Sequence, residues 1–465
     1  MTDLREAIDF YHSLLDDQTG HDSQAQLADQ LHRRRLFFGE RPLCTVLRPR
    51  FLTADQYRHL RSALRAIMPA FAKAYQAALA DPAFRAQFGL TDWEEQLIRV
   101  DPGFRAPSPT ARMDTFFNPH PQPLSQGERG EGVRGDLYFT EYNAETPAGI
   151  AYHDVLSEVF YGLPVLRAFE RLYEIRPLPG RHQLLHALLD AYHQWGGRGR
   201  PRIAILDWRE VPTYSEFVLF QDYFESQGLE CIIEDPRAFE YRNGKLLADG
   251  VLEVSLVYKR VLLSELVERC GLDHAVIRAV SERAACMVNP FRCKILHKKA
   301  SLAVLSDEAN RGLFSADERH AIDAYIPWTR MVREQRTVYW SQEIDLLPFL
   351  SDHKDEFVLK PNDEYGGKGI VLGWQVSQSE WDAALRAALK EPSIVQSRVL
   401  LPSEGYPSLA DGRVQIVDRM FDTNPFVWQG EYASSCLTRL STAALLNVTA
   451  GGGSTVPTFI IEKRE

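Results

Sequence analysis

The amino-acid sequence predicts a mixed α/β (α+β) protein: packed α/β units behind a helical N-terminal region. Three kinds of observation predict it. A strand–helix–strand pattern between Arg202 and Ile233 has the form of a parallel α/β unit. The glycine segment Lys360-Pro-Asn-Asp-Glu-Tyr-Gly-Gly-Lys-Gly369 lies between two strand-like runs, Phe357–Lys360 and Gly369–Trp374. Capping boxes at Thr53–Gln56, Ser315–Glu318 and Ser377–Glu380 each open a helix. In each, a hydroxyl accepts from a backbone amide while Gln or Glu reaches back to the cap.

The chain has 465 residues, 45% of them hydrophobic, which is enough apolar material for two or three packed domains. Aromatic residues make up 11%, which argues against disorder. A formal net charge of −10 speaks against a broad nucleic-acid surface. The six cysteines form no C-x-x-C pair, and the histidines show no H-E-x-x-H spacing, so neither a zinc nor a disulfide framework is predicted. No run approaches the roughly 18 apolar residues of a membrane span, and the N-terminus lacks an apolar signal core. The expectation is a cytoplasmic protein with no membrane or nucleic-acid partner. Oligomeric state is not readable.

Taken in order, residues 1–109 read as helical, with an Ala/Leu-rich run from Thr53 to about Ala80. A second part, 110–196, opens with two strands, Arg112–Phe117 and Leu137–Asn143. Between them, 118–135 is rich in Pro, Gly and charge and reads as a surface insertion without function, tolerant of deletion. The α/β unit, 197–285, has the strand Arg202–Asp207, a helix Tyr214–Gln227, the strand Leu229–Ile233, a turn at Asn243-Gly244 and a strand Val254–Tyr258. The last part, 286–465, holds the glycine segment.

That segment is where chemistry is expected. Glycines let backbone amides approach phosphate oxygens with no Cβ in the way. Lys360 before them supplies a compact positive charge, and Glu364 within them a carboxylate suited to magnesium. Taken alone, the segment is equally compatible with an ordinary glycine hairpin. It is neither a P-loop nor a dinucleotide fingerprint, because a strand follows it rather than a helix. A second constellation is Glu141-Tyr-Asn143. Residues two apart on a strand share a face, so both oxygens point the same way, as a hard cation requires.

The chain order of these features carries a resemblance. Arg112-Met-Asp114, Glu141-x-Asn143, Lys298-Lys299, the Lys360/Glu364 loop, Arg439 and Gly451–Gly453 occur in the order of the circularly permuted ATP-grasp ligases. That group includes eukaryotic glutathione synthetase and glutathionylspermidine synthase. The pattern Asp422-Thr-Asn-Pro425, Leu437–Ser441 and Asn447–Gly453 is most similar to a bacterial branch of the group. The resemblance runs from about Thr110 to the C-terminus.

It implies a permuted ATP-grasp fold with 197–285 as an inserted substrate domain and 286–465 as the nucleotide-binding part. It implies ATP and magnesium, as two ions, with Glu141, Asn143 and Glu364 as metal ligands. Lys360 and one of Lys298 and Lys299 would contact phosphates. Gly366, Gly367 and Gly369 would cover the γ-phosphate, and Gln396 would sit at the hinge by adenine. Arg112 and Arg439 would face an acyl phosphate or a substrate carboxylate, and Thr449–Thr455 would close over the site. The implied reaction joins a small-molecule carboxylate to an amine.

Bland readings stand beside these. Arg439 suits a structural ion pair, Lys298-Lys299 a solvated helix pair, Gln396 a strand edge, and Asp114 and Asp422 either support of the metal or turn caps. Lys368 suits phosphate or solvent, and His153 and His297 read as structural. The sequence also departs from the group. Ser441 stands where a nucleotide-contacting lysine is found, and the peptide-substrate motifs of glutathione synthetase are absent, so its substrate is not carried over.

Overall fold

The computed structural model describes residues 3–118, 137–364, 366–443 and 453–465. The insertion beyond Asn118, Tyr365 and most of the Thr449–Thr455 stretch lie outside the described residues.

In the N-terminal region the helices Leu4–Ser13, Asp17–Arg33 and Ala54–Ala80 are joined by the short strands Phe37–Phe38, Arg41–Pro42 and Arg50–Thr53. The helix Ala54–Ala80 opens with the predicted box, in which Thr53 Oγ1 accepts from the Gln56 amide at 3.2 Å and Gln56 Oε1 from the Thr53 amide at 2.9 Å. Leu60, Leu64, Ile67, Phe71, Ala74 and Ala78 recur every three or four residues and form one buried stripe. The stripe packs on Met113, Phe139 and Tyr142 of the two early strands. The Phe71 and Tyr142 rings meet at 4.9 Å. Each of the Leu, Ile and Phe side chains contributes about 1.5–3 kcal/mol by leaving water.

Those early strands, Thr110–Phe117 and Leu137–Asn143, belong to a large antiparallel sheet. Its other main strands are Ser403–Ala410, Arg413–Phe421, Asn424–Trp428 and Tyr432–Ser441. Ser454–Val456 adds to Tyr432–Ser441, placing Thr455 opposite Arg439. The C-terminal strand Thr458–Lys463 inserts between Arg50–Thr53 and Tyr173–Pro177.

The predicted parallel unit is present. Ile203–Leu206 is flanked by Cys231–Glu234 and Leu256–Lys259, and Cys286–Val288 completes the four parallel strands. The helix Tyr214–Ser226 connects the first pair. Asn243 and Gly244 take φ of 54° and 70°, as the hairpin between Phe239–Arg242 and Lys245–Ala248 requires.

Two predicted strands are corrected. Val254–Tyr258 is not one strand. Leu252–Val254 ends an antiparallel sheet and Leu256–Lys259 begins a parallel run. The chain breaks at Ser255 because its hydroxyl and its amide are both bonded to the Arg202 backbone. Gly369–Trp374 contracts to Val371–Leu372, followed by a short 3-10 turn at Gly373–Gln375. There the backbone packs so tightly that a Cβ on Gly373 would lie 1.8 Å from the Lys354 carbonyl oxygen.

A second antiparallel sheet orders Thr329–Met331, Ser393–Ser397, Phe357–Pro361 and Val371–Leu372. Beside it the boxes at Ser315 and Ser377 open the helices Ala316–Tyr325 and Gln378–Ala388.

Candidate active site

A cleft of about 930 Å³ opens between this second sheet and the large sheet. One wall follows from strand alternation. Val358 and Lys360 share a face of Phe357–Pro361, and the register sets Val358 opposite Gln396 and Leu372. Val358, Leu372, Trp374, Val399 and Leu401 make this end apolar, as a flat aromatic base requires. The sequence reading missed these residues, although the i, i+2 relation to Lys360 was a usable signal. The Arg398 guanidinium stacks 4.2 Å from the Trp374 ring centre.

The opposite end is polar. Lys360 Nζ donates to Gln396 Oε1 at 2.8 Å and to the Thr140 carbonyl at 3.2 Å. Loss of water pushes its pKa down to about 8. Glu141 works against that shift, and the nearby Lys299 ammonium adds to it. Lys299 Nζ pairs with Glu141 Oε1 at 3.0 Å and donates to the Glu364 carbonyl at 2.6 Å. Burial alone would raise the Glu141 carboxyl, but Lys299 foremost holds it below its ordinary value.

The two lysines of the Lys298-Lys299 pair therefore part. Lys299 pairs with Glu141, which lines the cleft. Lys298 points into a buried ionic cluster, 2.8 Å from Glu94 and 3.0 Å from Asp363. Neither is solvated, since both are under 5% exposed, and this corrects the reading of a solvated pair. The reason is local: the chain breaks between the short helices Lys294–His297 and Ala300–Ser306, and the two side chains diverge there.

The same cluster anchors the glycine loop. Asp363 pairs with Lys294 at 2.6 Å, and Lys294 also reaches Glu145 and Glu94. Asn362 accepts from the Lys299 and Ala300 amides and donates to the Phe88 carbonyl. Asn362, Asp363, Lys294, Glu94 and Glu145 escaped the sequence reading, because no spacing links residues so far apart.

Gly366 and Gly367 line the cleft with φ of 64° and 77°. Gly369 does not line it; a Cβ there would meet the Pro361 ring at 2.7 Å. Nor does the Glu364 carboxylate. It is part exposed and sits 3.3 Å from Lys368, which is itself turned to solvent. The backbone of Glu364, rather than its carboxylate, meets Lys299.

Arg112 and Arg439 meet across the large sheet. Asp114 bridges them, accepting from Arg112 Nε at 2.8 Å and from Arg439 Nη2 at 2.7 Å. Asp422 holds Arg439 Nε at 2.8 Å and its amide at 2.9 Å. Asp114 and Asp422 are thus arginine holders rather than turn caps. Burial would raise the Asp114 carboxyl, but the two guanidinium groups hold it well down, whereas burial prevails at Asp422 and raises it. His153 and His297 are buried. His153 Nε2 accepts from the Thr458 amide, and burial pushes His297 down to about 4.

Glu141 and Asn143 lie opposite Asp114 and Arg112, and the Asn143 amide donates to Asp114 Oδ1 at 2.9 Å. Among the described residues no group of three or more His, Cys, Asp or Glu is gathered as a metal cage. The donors facing the cleft beside the lysines are oxygens. That set fits a hard divalent cation held by one or two side chains, with phosphates and water completing its shell.

The described residues contain no helix long and apolar enough to cross a membrane, and all six cysteines are free thiols. No family model matches the chain, and no curated protein matches it. Its structure does match solved ones. A glutathione synthetase-like effector from Globodera pallida, in its apo form, aligns with a TM-score of 0.59 at 11% identity, over 96% of this chain and 98% of that one. A RimK domain ATP-grasp protein from Sphaerobacter thermophilus aligns at 0.27 and 13% identity, over 56% of this chain and 90% of that one. D-alanyl-alanine synthetase A from Vibrio cholerae aligns at 0.28 and 11%, over 48% and 68%. The first likeness shows the fold alone: a mixed α/β fold similar to that of the glutathione synthetase-like effector.

Proposed function

We propose that the protein is an ATP- and magnesium-dependent ligase that joins a carboxylate to an amine through an acyl phosphate. One observation carries the reading: Lys360 and Glu141, the latter paired with Lys299, stand at the polar end of an apolar cleft walled by a glycine turn. The apolar end suits a base, and the lysine end suits phosphates. The arginine pair lies on the same cleft, where a reacting carboxylate would be held.

In this reading a carboxylate oxygen attacks the γ-phosphorus of ATP, the bond to ADP breaks, and an acyl phosphate forms. An amine nitrogen then attacks the acyl carbon, phosphate leaves, and the nitrogen loses its proton. Lys360 and Lys299 neutralise phosphate charge, and the arginines orient the carboxylate and its developing oxyanion. Magnesium, held by Glu141 and Asn143 and, on the resemblance, by Glu364, would supply further charge neutralisation. The Gly366-Gly367 turn excludes water, which would otherwise hydrolyse the acyl phosphate. No covalent nucleophile or histidine base is needed.

Lys360→Ala and Glu141→Gln are each expected to abolish Mg·ATP-dependent turnover with the fold intact. Unchanged activity in both would sink the site assignment. A second reading, nucleotide binding without ligation, is favoured by Ser441 in place of the lysine. A phosphotransferase is the third. Incubation with ATP, magnesium and a metabolite panel separates them. ADP with a new amide means a ligase, ADP with a phosphorylated product a phosphotransferase, and binding without ADP neither.

A further inference from the structure

Behind the arginine pair lies a second cavity, of about 570 Å³, that shares Arg112 and Arg439 with the nucleotide cleft. Its other main walls are Phe38, Leu43, Ala148, Tyr152 and Leu437. The Tyr152 hydroxyl does not serve the cavity. It is bonded to the Phe37 carbonyl at 3.1 Å and to Ser215 Oγ at 2.7 Å, and it accepts from the Glu216 amide at 3.1 Å. Tyr152 therefore presents its ring.

Besides the arginines, the described wall carries two polar side chains, Thr213 and Thr455. Arg112 spends Nε on Asp114 and Nη1 on the Ala148 carbonyl. Arg439 spends Nε and Nη2 on Asp422 and Asp114. Among the described residues, Arg112 Nη2 and Arg439 Nη1 donate to no acceptor. Two guanidinium groups with unspent donors, on the wall between two cavities, form a receptor for a planar anion.

Among the described residues none that lines this cavity is acidic. Glu216, fully buried behind it, accepts through Oε1 from the Gly149 and Ala151 amides at 2.8 and 3.1 Å, and its Oε2 lies 3.9 Å from Arg260. A ligand ammonium placed here would find no carboxylate on the described wall, and burying it unpaired is costly.

We propose that this cavity binds the acid substrate, and that the acid is a monocarboxylate with an apolar body and no α-ammonium group. Its carboxylate reaches Arg112 and Arg439, and its body packs on Phe38, Leu43 and Tyr152. That the bound acid is a substrate rests on the ligase reading. The N-terminal region thereby gains a task. Its short hairpin Phe37–Phe38/Arg41–Pro42 is tied down by the Gly39 amide to the Pro212 carbonyl at 3.0 Å, and the Leu43 carbonyl accepts from the Thr455 amide at 2.7 Å. Phe38 and Leu43 are the residues that set the size and polarity of the acid.

Calorimetry on the full chain without nucleotide tests the assignment, with hydrocinnamate against phenylalanine and hexanoate against norleucine. At least one apolar acid is expected to bind about tenfold or more tightly than its α-amino counterpart. Phe38→Ala should weaken that acid by about tenfold, with Phe38→Leu restoring most of it. Equal or tighter binding of the amino acids, no binding of either apolar acid, or an unaltered affinity in a folded Phe38→Ala protein would overturn the assignment. The same acids with ATP, magnesium and hydroxylamine separate the two readings. Apolar-acid binding without ADP or hydroxamate overturns the ligase reading and leaves the cavity assignment standing. Hydroxamate made from the amino acids but not from the apolar acids does the reverse.

Discussion

Asp114 sits between two guanidinium groups, and Asp422 holds the second of them. The four side chains form one unit, in which each arginine is oriented by a carboxylate that is itself almost without water. Removing a cation from such a unit strands the buried carboxylates. Arg439→Ala should therefore destabilise the protein by about 3–5 kcal/mol, read as a lower urea midpoint, because Asp422 loses its guanidinium partner. A change under about 0.5 kcal/mol would mean that water reaches the aspartates freely. At Lys360 the expectation concerns binding. Its ammonium carries a charge in a poorly solvated place, so phosphate oxygens are strong partners for it. Lys360→Ala should weaken a non-hydrolysable Mg·ATP analogue by roughly 10- to 100-fold, the worth of a charged hydrogen bond. Titration calorimetry giving an unchanged Kd would remove Lys360 from the site.

At the scale of single elements, the parallel strand Ile203–Leu206 delivers Asp207 to its C-terminal end, where it is 7% exposed. Burial raises its carboxyl from 3.8 to about 6, against the bond it accepts from the Trp208 amide. The folded pKa is the higher one, so the folded chain holds this proton more tightly than the unfolded chain. The stabilisation is full below pH 3.8 and is lost as pH rises through about 6. Asp207→Asn keeps an oxygen acceptor and removes the charge. It should raise stability at neutral pH by about 1–3 kcal/mol, with the gain vanishing below the ordinary carboxylate range. Equal melting temperatures at pH 7 would contradict a poorly solvated carboxylate. The box on Ala54–Ala80 gives a second element-scale outcome: Thr53→Ala should cost about 1 kcal/mol in a denaturant titration.

For the whole molecule, the decisive arrangement is two antiparallel sheets facing each other across the cleft. One carries Lys360 and Gln396; the other carries Glu141, Arg112 and Arg439. A ligand touching both sheets couples them. A Mg·ATP analogue at about a hundred times its Kd should add about 2.7 kcal/mol, seen as a rise of several degrees in melting temperature. Chelating the metal should reduce that rise. A melting temperature indifferent to nucleotide would argue against a cleft that binds ATP. The buried cluster of Lys294, Lys298, Glu94, Glu145 and Asp363 ties the loop root to both the N-terminal region and the large sheet.

The sequence by itself determined what depends on neighbours along the chain. The capping boxes at Thr53, Ser315 and Ser377, the pairing of Glu141 with Asn143 on one face, the Asn243-Gly244 turn and the strand before the glycine loop are local, and each was legible. Helix starts and strand faces follow from hydrogen bonds and alternation within a few residues. The order of motifs along the chain also pointed to the fold. Tertiary structure alone decided that Lys299 and not Lys298 pairs with Glu141, that the Glu364 carboxylate turns out to Lys368, and that Phe38 and Leu43 wall a cavity beside Arg112. It also decided that Arg439 finds Asp114, 325 residues away. Such contacts are set by which strands become neighbours and by which charges a buried space forces together, and no local spacing encodes either.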